Sequence, residues 1–383
     1  MATVPRFLQD PGGSFFLFGP RGTGKSTWLG LVFPDALVVD LLAPDIERRF
    51  AARPERLREL VAGQLEAEVL VVDEVQKVPR LLDVVHQIIE SGGGPRFVLT
   101  GSSARKLKRS GVDLLSGRAF LRSMHPFMAA ELGQSFDLDL ALRQGLLPLV
   151  WDSIRPEEAL RAYVSLYLRE EVKAEGMVRD IGAFSRFLEA TSYSHATLLN
   201  NSEVARECEV SRKTVEGYHQ ILEDLLLSFR VPVFSRRARR RLTAHPKFYW
   251  FDAGVYRSIR PSGPLDRPEE IGGAALEGLV AQHLRSWIDY TNPEFSLSFW
   301  RTKAGNEVDF VVYGPDGFWA IEVKHTSTLR GRDLGGLKAF RTDYPEAQVR
   351  LLYRGSERLE IDGIKCLPCD FFLKNLYPGK DLP

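Results

Sequence analysis

Eight residues, Gly19-Pro20-Arg21-Gly22-Thr23-Gly24-Lys25-Ser26, constrain this chain more than any others. They follow the apolar run Phe15–Phe18 and lead into Thr27-Trp28-Leu29, which opens a helix. GxxxxGKS between a strand and a helix is a phosphate-binding P-loop. Its glycines let backbone N–H groups turn inward around the β- and γ-phosphates, and the helix N-terminus adds positive dipole. Lys25 neutralises the phosphates and the Ser26 hydroxyl ligates Mg²⁺. Gly19, Arg21, Gly22, Thr23, Gly24 and Thr27 complete the expected nucleotide-binding loop. The motif implies an ATP-binding α/β unit built on a mostly parallel sheet.

Two further strand ends fit the same site. Val69-Leu70-Val71-Val72 runs into Asp73-Glu74. An apolar strand ending in two acids makes little sense as packing, because a buried carboxylate needs a partner. Beside a P-loop, Asp73 would hold the Mg²⁺ shell and Glu74 would orient and deprotonate the attacking water. Phe97-Val98-Leu99 runs into Thr100-Gly101-Ser102-Ser103, where Thr100 or Ser102 would sense the γ-phosphate. Strand-like runs at 37–40 and 119–123 and a helical pattern at 79–90 fill out the unit.

With 383 residues the chain exceeds a single hydrophobic core, so two or three domains are expected. The 44% hydrophobic and 26% charged balance is that of a globular protein. A net charge of +1 gives no overall pull on a polyanion, so nucleic-acid contact requires a local basic surface. No apolar run spans a bilayer and the N-terminus does not read as a signal peptide, which makes the cytoplasm the expected location with no membrane partner. The three cysteines, Cys208, Cys366 and Cys369, are too few for a disulfide scaffold. Cys366-Leu-Pro-Cys369 carries half of a zinc site's ligands and reads better as two buried thiols.

The blocks GPRGTGKS, VVDEVQKVPRLL, FVLTGSS, LLSGR, GNEVDFVV and AIEVK, in this order, resemble prokaryotic ATPases of the AAA+ superfamily that carry an additional C-terminal domain. The resemblance runs over nearly the whole chain. It implies that an arginine answers the γ-phosphate, often across a subunit boundary in a homo-oligomer. Arg118 in LLSGR is the candidate, in cis or in trans, with a surface salt bridge as the other reading. No match to the second arginine of many AAA+ lids is present.

Beyond residue 125 the character changes. Residues 126–200 read as a helical lid. Residues 201–255 read as two short helices, the first capped by Ser202, and then two strands at 229–234 and 247–251, the outline of a winged helix. Its second helix begins with Ser211-Arg212-Lys213-Thr214, where a recognition helix meets DNA. The run containing Arg236, Arg237, Arg239, Arg240 and Arg241 would form a wing along phosphates. The same outline also serves as a protein-packing module.

From residue 268 a long helix precedes three strands, a helix and more strands. Strand alternation puts Glu307 and Asp309 on one face, opposite Val308, Phe310 and Val312. Glu322 and Lys324 likewise share a face, so adjacent strands would gather Asp309, Glu322 and Lys324. Two carboxylates so gathered bind a divalent cation, Mg²⁺ or Mn²⁺, which stabilises a scissile phosphate, and the lysine positions water. Asp…Glu-x-Lys after a helical Glu277 is similar to the restriction-endonuclease-like superfamily. On that resemblance Asp309, Glu322 and Lys324 are catalytic, and Glu277 is a further metal ligand or an acid behind the ligands. A salt-bridged structural remnant is the alternative.

The sequence therefore predicts an α/β chain in four parts. An AAA+-like P-loop parallel sheet covers 1–125, a helical lid 126–200, a winged helix 201–260 and a restriction-endonuclease-like α/β domain 265–383. ATP and Mg²⁺ are the expected ligands and DNA the expected partner. ATP-driven DNA handling with phosphodiester cleavage stands against a switch or DNA-binding regulator with a non-catalytic C-terminal platform.

Overall fold

A computed structural model describes residues 4–64, 66–102, 117–168, 180–237, 242–243 and 245–383. The chain divides into two compact units, the first being Leu8–His125 with Leu222–Leu227 and the second the remainder.

The first unit is built on strands β1 (Phe15–Phe18), β2 (Leu37–Asp40), β3 (Val69–Asp73), β4 (Arg96–Gly101) and β5 (Phe120–Ser123). They form one sheet in the order β2-β3-β4-β1-β5, every pairing parallel. Both faces of a parallel sheet are covered, so its strands can be apolar without alternation. β1 is buried at all four residues, and Leu70, Val71 and Val72 of β3 are buried in succession. Phe16, Leu70, Val72, Phe97 and Leu99 form one core with Leu81, Leu82 and Val85 from the helix Leu81–Ser91. All five strands point their C-terminal ends the same way, and ligands of open α/β sheets bind at that edge.

The second unit holds two sheets. The small one contains β6 (Thr197–Leu198), β7 (Ser228–Val231) and β8 (Lys247–Trp250), antiparallel in the order β6-β8-β7. Helices Ile181–Ser192, Asn201–Cys208 and Arg212–Asp224 precede and interleave with these strands. The expected cap Ser202 is corrected. The Asn200 side chain accepts from the Ser202 and Glu203 N–H groups, so the helix begins a residue later than its cap.

The larger sheet contains β9 (Ser296–Arg301), β10 (Glu307–Gly314), β11 (Gly317–Lys324), β12 (Gln348–Tyr353), β13 (Leu359–Ile361) and β14 (Ile364–Pro368), in the order β13-β14-β12-β11-β10-β9. It is mixed: β9, β10 and β11 are antiparallel neighbours, whereas β12 is parallel to β11 and β14. The 24-residue helix Pro268–Thr291 precedes it. Strict alternation along β10 is also corrected. The β9/β10 register shifts between Val308 and Val311, and both valines enter the same core cluster. A bulge at Asp309–Phe310 inserts a residue and re-aims the side chains beside it. Among the described residues no helix is long and apolar enough to cross a membrane.

Phe97 is fully buried at the centre of the first unit's core. Phe97→Ala should cost about 3–5 kcal/mol by lost transfer energy and an unfilled cavity. Urea unfolding read by circular dichroism checks this.

Candidate functional sites

The P-loop leaves β1 at Phe18 and ends in the helix Lys25–Val32. Gly22 and Gly24 have φ of 82° and 89°, left-handed conformations that let successive N–H groups face one concavity. The buried Lys25 ammonium donates to the Gly19 carbonyl at 2.6 Å, so it lies folded into the mouth of its own loop. Thr23 is buried and its hydroxyl donates to the Pro20 carbonyl at 2.8 Å, which closes the turn. Ser26 and Thr27 are exposed.

The strand order sets the rest. β4 lies between β1 and β3, so Thr100 stands between the loop and Asp73. The Thr100 hydroxyl donates to Asp73 Oδ1 and accepts from the Glu74 N–H at 3.1 Å. The Ser26 hydroxyl lies 3.4 Å from Asp73 Oδ2. Lys25, Ser26, Asp73, Glu74 and Thr100 are thus gathered at one edge, and Thr100 ties β4 to β3.

Glu74 has φ 58° and ψ 47°, a left-handed conformation uncommon for a residue with a Cβ. Such backbone persists where the surroundings over-determine it. Here Gln76, buried in the short turn Val75–Lys77, donates from Nε2 to Glu74 Oε2 and to Ser102 Oγ at 3.2 Å. A Cβ on Gly101 would fall 2.5 Å from Gln76 Oε1, so the glycine leaves room for this amide. Gln76 was not among the sequence candidates. Its one signal is a polar residue two positions past the paired acids.

Arg118 is not at this edge. Phe120 pairs with Phe15, the first residue of β1, so Arg118 lies at the end of the sheet opposite the P-loop. It pairs with Glu90 at 2.7 Å. In this structure Arg118 makes the surface ion pair that was the other reading of it.

The second site lies between the small and large sheets. β10 and β11 pair with Phe310 opposite Ile321, so Asp309 comes beside Glu322. Asp309 and Glu322 are both buried, and Asp309 Oδ2 accepts from the Val323 N–H at 2.9 Å. The Lys324 ammonium donates to Glu322 Oε1. Glu277 arrives from the long helix, and the Tyr249 hydroxyl donates to its Oε1 at 2.6 Å. Sequence reasoning missed the residue at the centre. The Lys247 ammonium, from the first residue of β8, lies 2.9 Å from Glu277 Oε1, 2.6 Å from Glu307 Oε1 and 3.0 Å from Asp309 Oδ1. Its side chain is 3% exposed.

The electrostatics follow. Burial disfavours the charged form of Lys247, but Glu277, Tyr249, Asp309 and Glu307 outweigh it and hold the ammonium well above the usual lysine range. Burial, then the Asp309 charge, pushes Glu322 well above the carboxylate range. The same two causes push Glu277 up to about 7, opposed by Lys247 and Tyr249. Among the described residues no group of three or more acids, histidines and cysteines is arranged to hold a metal ion.

The remaining basic candidates are scattered. Arg212 and Lys213 are exposed at the start of their helix, where Ser211 Oγ accepts from the Thr214 N–H at 3.1 Å. Arg212 pairs with Glu216 at 2.9 Å along the same helix. Arg236 stacks 4.6 Å from the Tyr313 ring centroid, and its carbonyl accepts from the Tyr344 hydroxyl at 2.9 Å. Arg237 is exposed, and Arg239, Arg240 and Arg241 lie outside the described residues.

Three family models match successive parts of the chain. Residues 13–133 match the model of an AAA domain, 135–266 that of a domain of unknown function (DUF8612), and 272–372 that of another (DUF4143). Two curated relatives, Uncharacterized protein Rv2008c of Mycobacterium tuberculosis and Uncharacterized protein Mb2031c of Mycobacterium bovis, are each 25% identical over 93% of this chain and 80% of their own. AMPPCP-bound DnaA from Aquifex aeolicus matches with a TM-score of 0.26 and 14% identity, over 55% of this chain and 81% of that chain. The AAA match and the P-loop geometry together support ATP binding and hydrolysis by the first unit.

Glu277 offers a pH test. A carboxyl raised from its ordinary 4.5 to about 7 in the fold binds its proton more tightly folded than unfolded. Its contribution is therefore complete below the unfolded value and is lost as pH rises through the folded one. Glu277→Gln removes that dependence. The melting temperature of the variant relative to the parent should rise between about pH 4.5 and 7. A difference that stays flat across this window would show that Glu277 titrates normally.

Proposed function

We propose that this protein is an ATP-hydrolysing switch that engages DNA through its central module and carries a nuclease-like C-terminal domain as a platform. The observation that carries the reading is the convergence of Lys25, Ser26, Asp73, Glu74 and Thr100 at one sheet edge. Lys25 would exchange its carbonyl partners for the β- and γ-phosphates. Ser26 and Asp73 would hold Mg²⁺, which when bound neutralises charge on the phosphates. Their hydroxyl and carboxylate lie together already, so the residues fit the ion. Glu74 would take the proton of the attacking water, with Gln76 holding the carboxylate until nucleotide arrives. Arg118 would reach only a neighbouring copy's nucleotide, so its action requires a homo-oligomer.

The winged-helix reading of 201–260 draws support from the succession helix, β6, helix, helix, β7, β8 with an antiparallel three-stranded sheet. Exposed Arg212 and Lys213 at the start of the third helix suit phosphate contact. For 265–383, support for the nuclease-like fold comes from the succession helix, β9, β10, β11, helix, β12 in a mixed sheet. Residues 126–200 would serve as the lid. A second reading, Mg²⁺- or Mn²⁺-dependent phosphodiester cleavage, is favoured by Asp309, Glu322 and Lys324 lying side by side. Lys247 among the same carboxylates counts against it, because the ion's position already holds a cation.

Two sets of variants test the proposal. Lys25→Ala should abolish ATP binding in calorimetry, whereas Glu74→Gln should bind and lose about a hundredfold in phosphate release. Wild-type turnover in Glu74→Gln would remove Glu74 as the base. Neutralising Arg212 and Lys213 together should weaken duplex DNA binding at every sequence and lower the salt slope by about one per lost phosphate contact. Unchanged affinity and slope would return the module to protein packing.

A further inference from the structure

We infer that Lys247 is the built-in cation of the C-terminal site: its ammonium occupies the position between Glu277, Glu307 and Asp309 that a divalent metal would need, and so closes the site to metal. The inference rests on the nuclease-like reading of the C-terminal domain and deepens it.

The geometry accounts for the whole ammonium. A lysine head has three N–H donors and no acceptor, and three carboxylate oxygens lie at 2.6, 2.9 and 3.0 Å. The oxygens it engages are those a metal would have to coordinate. Asp309 Oδ2, the oxygen that Lys247 does not engage, accepts the Val323 N–H. Glu277 Oε1 is shared between Lys247 and the Tyr249 hydroxyl. Lys324 holds Glu322 through Oε1 alone, leaving Oε2 buried without a hydrogen-bond partner, and Glu307 also pairs with Arg301 at 3.2 Å. The carboxylates of Glu277, Glu307, Asp309 and Glu322 thus already face three cations, Lys247, Lys324 and Arg301.

Mg²⁺ demands near-octahedral oxygen at roughly 2.0–2.1 Å. Such an ion within reach of Asp309 and Glu277 would sit against a buried ammonium, and like charges repel strongly in a poorly screened interior. Metal and ammonium exclude one another. The lysine is not there by chance of a flexible surface chain. It begins β8, all four of whose residues are buried, and Tyr249 two positions on faces the same site, as strand alternation requires. β8 belongs to the small sheet, so the closing cation comes from the segment just before the C-terminal domain.

The test uses the full chain without nucleotide, with Mn²⁺ as probe and calorimetry as readout. Any binding at Ser26 and Asp73 is common to all variants and cancels. The parent and Asp309→Asn should take up Mn²⁺ equally. Lys247→Met should gain a Mn²⁺ site at least about tenfold tighter than anything in the parent, and Lys247→Met with Asp309→Asn should lose it. Lys247→Arg keeps a cation and should gain no such site. Mn²⁺ uptake by the parent that falls in Asp309→Asn would overturn the inference and leave the nuclease-like reading standing. A Lys247→Met chain that melts cooperatively yet gains no Mn²⁺ would overturn both. Should Lys247→Met fail to fold, the comparison of parent with Asp309→Asn decides alone.

Discussion

A parallel sheet lines up all its strand C-termini along one edge, and the order in which strands lie decides what meets there. Here β4 lies between β1 and β3. That single fact puts a threonine hydroxyl between the phosphate loop and the paired acids. Thr100 binds the Asp73 carboxylate and the Glu74 N–H at once, so the side chain that would hold the ion and the backbone that aims the base share one anchor. Glu74 accepts a left-handed backbone to make this geometry, and Gln76 holds its carboxylate. Swap two strands and Lys25, Asp73 and Thr100 would no longer meet.

The C-terminal site obeys a different constraint. Charges taken out of water must be paired, and removing one partner leaves the others uncompensated. Four acids converge from the long helix, β10 and β11; the lysine of β8 pairs with three of them and Lys324 with the fourth. Buried ion pairs are weak evidence of stability by themselves, but they fix which surfaces fit together. Lys247 and Tyr249 therefore register the small sheet against the large one. A chemistry-shaped cluster and a structural clasp are here the same set of residues.

Much of this was legible in the sequence, for reasons that can be stated. GPRGTGKS, the acids after β3 and Thr100 are legible because local pattern and strand period fix them, and they lie at one edge of the sheet. Asp309, Glu322 and Lys324 are read as neighbours from two short alternating strands, and β10 and β11 are antiparallel partners. What was missed depends on contacts that local pattern cannot carry. Lys247 stands 62 residues before Asp309 and reads as the polar first residue of an aromatic strand. The bulge in β10 breaks alternation with no glycine or proline to announce it. The end of the sheet occupied by Arg118 follows from β5 pairing beside β1, and strand order is a property of the whole unit. Gln76 reads locally as an ordinary turn residue, and the room that Gly101 leaves for it is a contact between segments distant in sequence.

On the proposed function, Thr100 couples the acid that would hold the ion to the acid that would act as base. Thr100→Val keeps the shape of the side chain and deletes the hydroxyl. Phosphate release from ATP in Mg²⁺ by this variant, compared with the parent at saturating nucleotide, is the most direct measurement. The account predicts a loss of about tenfold to a hundredfold, the scale of a misplaced catalytic group. Release at the parent rate would contradict it.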